Sequence, residues 1–371
     1  MAGLSLPAPA QGPQERCSEA TPGRRSQALP AARGIKKGEQ FPALTGLRFF
    51  LAVWVVLHHL TGPGQMLEPA ARALPHAIYT LVRAGYLAVT TFFVLSGFVL
   101  ARSYPGRVRL PLYGIGRLAR IYPVYLLSLL LVTPFIAADR TPQKLGYLSA
   151  HFALIQAWLG HIPVSWNTPA WSLSCEMFFY LLFPLAAPLI TKAGRFRAIL
   201  MALGCIWLTR ALWAIGVSDD IKPVIHLSDF LMGIAASRLF DLQRESGFTF
   251  SGQWLYLPAL AGSIALILFQ PADITTPLRP LNALLLIGLA FGGGFVARIL
   301  SAPLAVYLGK SSYALYILHV PLLWWYLRWS KTISGAVYLA GVIAISCVVY
   351  RLWEEPANRF LRARARRSLQ P

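Results

Sequence analysis

Charge is what this chain has least of. Only 13% of its 371 residues are charged, and Asp and Glu together number 14. A soluble domain of ordinary composition carries about 25% charge, so a freely soluble globular chain is excluded. Cysteine is sparse as well. Cys17, Cys175, Cys205 and Cys347 show no CxxC spacing, and three of them stand in apolar surroundings. Neither a disulfide framework nor a zinc site is supported. The signatures of soluble enzymes are missing too: no serine elbow, P-loop, HExxH or GxGxxG run occurs in a convincing context. No internal repeat, inverted or parallel, stands out, and an inverted repeat is what a transporter would show.

Apolar residues are what the chain has in excess, at 56%. About 20 of them in a row span a bilayer, so the composition points to an all-α, polytopic membrane protein with about ten transmembrane helices. The expected helices lie near residues 43 to 62, 80 to 102, 121 to 138, 171 to 191, 197 to 216, 224 to 240, 254 to 270, 281 to 299, 303 to 327 and 333 to 353. Residues 147–160, YLSAHFALIQAWLG, are too short to span comfortably and carry His151 and Gln156. They are expected to form one re-entrant or interfacial helix.

The net charge of +20 would suggest nucleic acid in a soluble protein. Here the basic residues sit between apolar segments and at the two ends, without a basic groove interleaved with aromatics. Contact with anionic membrane lipid and the positive-inside rule account for them, and no nucleic-acid partner is expected. With 147–160 not spanning, the Arg102 to Arg120 loop, the Lys192 to Arg197 loop, the Arg238 to Arg244 loop and Arg298 all fall on one side, expected to be cytoplasmic, as do both termini. Asp139, Asp219, Asp220 and Asp273 fall on the other. Residues 1–40 lack a continuous apolar stretch and read as a disordered cytoplasmic tail rather than a cleaved signal, 41–360 as the membrane domain, and 361–371 as a basic cytoplasmic tail.

The polar residues inside apolar segments carry the functional signal. Arg48 and His59 stand eleven residues apart in LTGLRFFLAVWVVLHHL. Eleven residues make about three helical turns, so the two share a face about 16 Å apart. An arginine in hydrocarbon costs roughly 3 kcal/mol or more, which makes the pair a functional hypothesis by default. This topology sorts the buried polar groups into two layers. Arg48, the loop's Arg117 and Arg120, and Lys310 lie on the cytoplasmic side, suited to a phosphate-bearing ligand. His59, Glu176, Arg210, His226, Asp229 and His319 lie in the outer half, where a mixture of imidazoles and carboxylates suits general acid–base chemistry.

Plainer roles stand beside these. Arg48, Arg117 and Arg120 could snorkel to the interface. His59 could be a bundle histidine bonded to a backbone carbonyl. Glu176 could pair with Arg210 as structural glue, and His226 with Asp229 could cap a helix at the interface. Ser96 and Gly97 could serve close helix packing. Tyr313, Tyr316 and His319, spaced by three, share a helix face, and for the tyrosines an interfacial belt would suffice.

Taken in order, LTGLRFF through HH, FFVLSGFVL, RLARIYPVY, PAWSLSCEMFFY, GKSSYALYILHVP and EEPANRF resemble the acyltransferase-3 family of bacterial integral membrane O-acyltransferases, over about residues 41 to 360. The resemblance implies ten membrane helices, a location in the bacterial inner membrane, a cytoplasmic acyl-CoA donor and no metal. The implied acceptor is a carbohydrate or glycolipid hydroxyl. Acetyl is the commonest group in the family, with succinyl and longer chains also compatible. The family's basic-residue and histidine signature falls on Arg48 and His59, its serine–glycine motif on Ser96 and Gly97, its paired arginines on Arg117 and Arg120, and its buried glutamate on Glu176. On this resemblance His59 is the expected general base with Glu176 beside it, and Arg48, Arg117, Arg120, Ser96 and Gly97 hold the donor. Trp171, Ser174, Tyr313, Tyr316 and His319 are the expected acceptor-side residues. Some relatives carry a further hydrolase-like domain; only a short basic segment follows the tenth expected helix here, so relay through such a domain is not expected. The competing class is a transporter or flippase for a lipid-linked sugar or small metabolite, its polar layers lining a path. A sensor without chemistry would leave the cost of burying His59 and Glu176 unexplained.

Overall fold

The structure, a computed structural model, describes Gly3 and residues 41–104, 108–136, 142–160, 166–218, 220–330 and 334–368. The expected tail at 1–40, Asp139 and Asp219 lie outside the described residues, Gly3 apart. Among the described residues all regular structure is helical.

Helix α1 runs Pro42–Leu60, opening on a proline whose missing N–H costs nothing in a first turn. Helix α2, His76–Ser103, is continuous through one 3-10 turn at Ala84–Leu87. Helix α3 is Leu110–Ile136, α4 Trp171–Thr191, α5 Arg195–Ala214, α6 Leu227–Glu245 and α7 Gln253–Phe269. Helix α8, Thr275–Phe291, ends where Gly292, Gly293 and Gly294 all take positive φ, and a short helix Gly294–Leu300 leaves at 79°. Helix α9 is Pro303–Trp329, and α10 runs Gly335–Ser368 through a π turn at Tyr350–Glu354.

A helix therefore stands at each expected position, but among the described residues six are long and apolar enough to cross a membrane, or up to seven if the bent α8 pair counts as one span. The six are α1 to α5 and α10. Helix α6 falls short because it carries Asp229, Arg238, Asp241, Arg244 and Glu245, and α7 because it has 17 residues. Leu181, Leu185 and Leu189, one turn apart on α4, are each more than 70% exposed. A stripe of that kind has no place in water and faces lipid. The chain is a multi-pass membrane protein.

Three boundaries differ from expectation. Helix α3 begins eleven residues before 121, so Arg117 and Arg120 project from a helix rather than a loop. Pro123, which a helix starting near 121 would hold in its first turn, sits mid-helix, where its ring removes the partner of the Ala119 carbonyl. Residues 147–160 do not make one helix: Pro142–Phe152 ends, Leu154 takes φ 55°, and a single 3-10 turn follows at Gln156–Trp158. Early α3 meets mid α4, where the Tyr113 hydroxyl donates to the Tyr180 carbonyl. Later α3 meets the connecting segment, where the Tyr125 hydroxyl donates to the His151 carbonyl. The chain thus leaves α3 and enters α4 at the same end of an antiparallel pair. Finally, the expected basic tail is helical as far as Ser368.

Helix α2 packs most extensively on α6, and α1 on α9. The first contact depends on a reciprocal glycine pair. A Cβ on Gly97 would collide with the Phe230 carbonyl oxygen, and one on Gly233 with the Val94 carbonyl oxygen. Backbones approach this closely only where neither residue has a side chain.

Candidate active site

A cavity of about 320 Å³ lies among α1, α2, α3, α4, α9 and the end of α10. Its wall contains Arg48, Arg117, Arg120 and Arg362, with Glu176 as the carboxylate. Helix alternation explains the gathering: Arg48 is in the second turn of α1, Arg117 and Arg120 are in the second and third turns of α3, and Arg362 is in the last turns of α10, all at one end of the bundle. The Arg117 guanidinium lies 5.7, 5.8 and 5.6 Å from the ring centres of Tyr104, Tyr113 and Tyr180. Rings attract the cation by their quadrupoles without neutralising it, and Arg117 Nε is buried with no hydrogen-bond partner among the described residues. Arg120 stands 5.1 Å over Tyr313 and forms an ion pair with Glu354, whose side chain is only 1% exposed. Tyr180 donates to Glu176 Oε2 at 3.3 Å.

At the other end of the cavity the wall is Phe92, Ser172 and Tyr316. The Tyr316 hydroxyl is 2.9 Å from Ser172 Oγ and 3.2 Å from the Pro169 carbonyl. One turn further along α9, His319 Nδ1 lies 2.7 Å from the Tyr316 carbonyl, so this nitrogen carries the proton and Nε2 the lone pair. That Nε2 is 3.3 Å from His59 Nδ1, which also lies 3.0 Å from the Val55 carbonyl. Both neighbours of His59 Nδ1 are acceptors, so its proton is on Nδ1 and its Nε2 bears a lone pair. Tyr338 donates to the His319 carbonyl and braces the pair from α10.

The expected residues are redistributed by this arrangement. Arg48, Ser96, Arg117, Arg120, Glu176, Tyr313 and Tyr316 share the cavity wall. His59 and His319 meet just beyond it, behind Tyr316. Glu176, expected in the outer layer beside His59, instead lies with the arginines. Gly97 meets Phe230 rather than the cavity, and Lys310 is exposed outside it. Ser174 is buried and accepts from the Ala157 amide at 3.4 Å, which ties the 3-10 turn to α4. Trp171 stands outside the cavity between Lys222 and His226.

Arg210 does not meet Glu176: it points to Asp273, at 3.8 Å, from an exposed position. Asp229 is fully buried between Arg279 Nε at 2.8 Å and His226 Nδ1 at 2.9 Å, so it is not an interfacial cap. Sequence reasoning missed Arg279, Glu354 and Arg362. Arg279 precedes a proline in a stretch that reads as a loop, and the other two sit in a basic end that reads as solvated. The EEP run near Glu354 was the one signal that could have found it. Among the described residues no group of three His, Cys, Asp or Glu could hold a metal ion.

Comparison with known proteins gives this geometry a context. The family model described as "Acyltransferase domain" matches residues 41–351. The chain is similar to Acyltransferase MdmB of Streptomyces mycarofaciens, 29% identical over 87% of this chain and 92% of that protein. It is also similar to a Staphylococcus aureus (strain COL) protein named "Putative O-acetyltransferase SACOL0978", 24% identical over 76% of this chain. The match spans about half, 51%, of that staphylococcal relative. No solved structure matches the chain. With a family match over most of its length, the chain belongs to the acyltransferase-3 family and is an acyltransferase.

Proposed function

We propose that the protein is an O-acyltransferase that carries an acyl group, acetyl by family precedent, from acyl-CoA to a hydroxyl of a carbohydrate or glycolipid. The observation that carries this reading is one cavity with arginines at one end and Tyr316, adjoining His319 and through it His59, at the other. The cationic end suits the phosphates of CoA, since guanidinium groups bind phosphate with charge-assisted hydrogen bonds. The pantetheine arm would lie along the cavity past Ser96 and Tyr313 and bring the thioester to Tyr316. The basic helix ends gather at the Arg48 end, which by the positive-inside rule is the cytoplasmic side of the bacterial inner membrane, with both termini there.

In this scheme His59 Nε2 removes the acceptor hydroxyl proton as that oxygen attacks the thioester carbonyl carbon. His319 and the Val55 carbonyl hold Nδ1 and so fix which nitrogen acts. The Tyr316 hydroxyl, by turning its proton from the Pro169 carbonyl, donates to the developing oxyanion. The carbon–sulfur bond breaks, and the proton passes from His59 to the CoA sulfur, leaving free thiol and an ester. Glu176, at the cationic end of the cavity, offsets the arginines.

The test is made on isolated membranes from cells carrying or lacking the gene, supplied with acetyl-CoA and the cells' own envelope glycans. Free CoA thiol should appear and the glycans should gain an acyl mass only when the chain is present. Transport without thiol release would support the transporter class instead.

A further inference from the structure

Part of the cavity lies beyond the residues that match the family. Helix α10 docks antiparallel on α3 at three points. Trp353 Nε1 donates to the Pro123 carbonyl at 2.8 Å, Glu354 pairs with Arg120, and Arg362 Nη2 lies 3.4 Å from the Gly116 carbonyl. Ala365, one turn on, is buried and keeps the helix down. These contacts bring Arg362 into the cavity wall beside Arg117 and Arg120, although the residue as a whole is exposed. It therefore sits at the rim.

Charge makes the position informative. Four guanidinium groups converge on a wall whose carboxylate is Glu176, while Glu354 is spent on Arg120. Like charges in a space partly shielded from water repel, and an anion in the cavity relieves that cost. Among the described residues Arg362 is held by one long contact to a carbonyl, so most of its five N–H donors remain for a ligand.

We propose that Arg362 is a donor-binding residue that contacts a phosphate of the nucleotide end of the thioester at the rim of the cavity. The C-terminal helix is thereby part of the donor site. This rests on the acyl-CoA reading above.

The test is calorimetric titration of the full chain in lipid nanodiscs with coenzyme A itself. Arg362→Gln should raise Kd about tenfold, the effect of losing one charge-assisted contact, and Arg362→Lys should recover part of it. Arg364→Gln removes the same charge from an exposed residue outside the cavity wall and should stay within about twofold, since exposed charges are screened. Equal losses in R362Q and R364Q would overturn the proposal in favour of diffuse attraction, and no loss in R362Q would overturn it outright. If R362Q is silent while Arg117→Gln weakens binding, only Arg362 leaves the donor site. If the unaltered chain does not bind coenzyme A, the donor reading and this inference fall together.

Discussion

His319 Nε2 lies 3.3 Å from His59 Nδ1, across helices 260 residues apart in the chain. The contact sets the tautomer of both rings. His319 is protonated on the nitrogen facing the Tyr316 carbonyl and accepts from His59, whose remaining nitrogen is basic. A histidine held in one tautomer by a second group is the arrangement general-base catalysis needs.

Replacement of His59 by glutamine should lower turnover by about 10²- to 10⁴-fold, the usual worth of a positioned base, while leaving membrane insertion intact. Near-normal acylation of envelope glycans by this variant, read by mass spectrometry, would end the assignment. His319→Asn, which can still accept a hydrogen bond, should be milder than His319→Leu. If the two variants are equally impaired, His319 does not act through its lone pair.

The aromatic surround of Arg117 separates charge from shape. Lysine keeps the cation but loses the flat guanidinium that lies against Tyr104, Tyr113 and Tyr180. Arg117→Lys should therefore weaken coenzyme A binding, by about threefold to tenfold for a lost contact near 1 kcal/mol. Full binding by the lysine variant, measured by titration, would show that charge alone matters at this position.

Gly97→Ala should destabilise the fold by about 1–3 kcal/mol, because the added methyl meets the Phe230 carbonyl oxygen across the α2–α6 contact. Thermal unfolding in detergent measures it. An unchanged midpoint together with lost donor binding would return Gly97 to the donor site.

Asp229→Asn should cost about 3–5 kcal/mol by leaving Arg279 buried without its counter-charge. Asp229→Leu combined with Arg279→Met should cost less than the two single changes added together, read again as unfolding midpoints. Strict additivity would mean that the pair does not interact.

Much of the chain was legible in one dimension. Runs of apolar residues separated by basic loops specify helices and their alternation whatever they pack against, since a backbone in hydrocarbon must satisfy its own hydrogen bonds. Arg48, Glu176 and His59 stood out because each is expensive where it lies, and Arg117 and Arg120 because they fall on the paired-arginine motif. Boundaries were less legible. Arginines and tyrosines at the start of α3 look like a loop until they are seen to pack on one another, and Pro123 looks like a first turn until the helix around it is held by α10 through Trp353.

Partnership is what the sequence could not decide. Residue spacing placed Glu176 at the depth of His59, but side-chain direction on α4 turns it to the arginines, and only the packing of α1 against α9 puts His319 on His59. Arg279, Glu354 and Arg362 belong to the same class: their neighbours Asp229, Arg120 and Gly116 are 50, 234 and 246 residues away. The sequence by itself determined that this is a helical membrane protein with costly polar groups in its helices, because composition and period are local properties, and its motifs carried the likeness to an acyltransferase family. Which of those groups meet in one cavity was decided by tertiary structure, because contacts between helices depend on how whole faces pack.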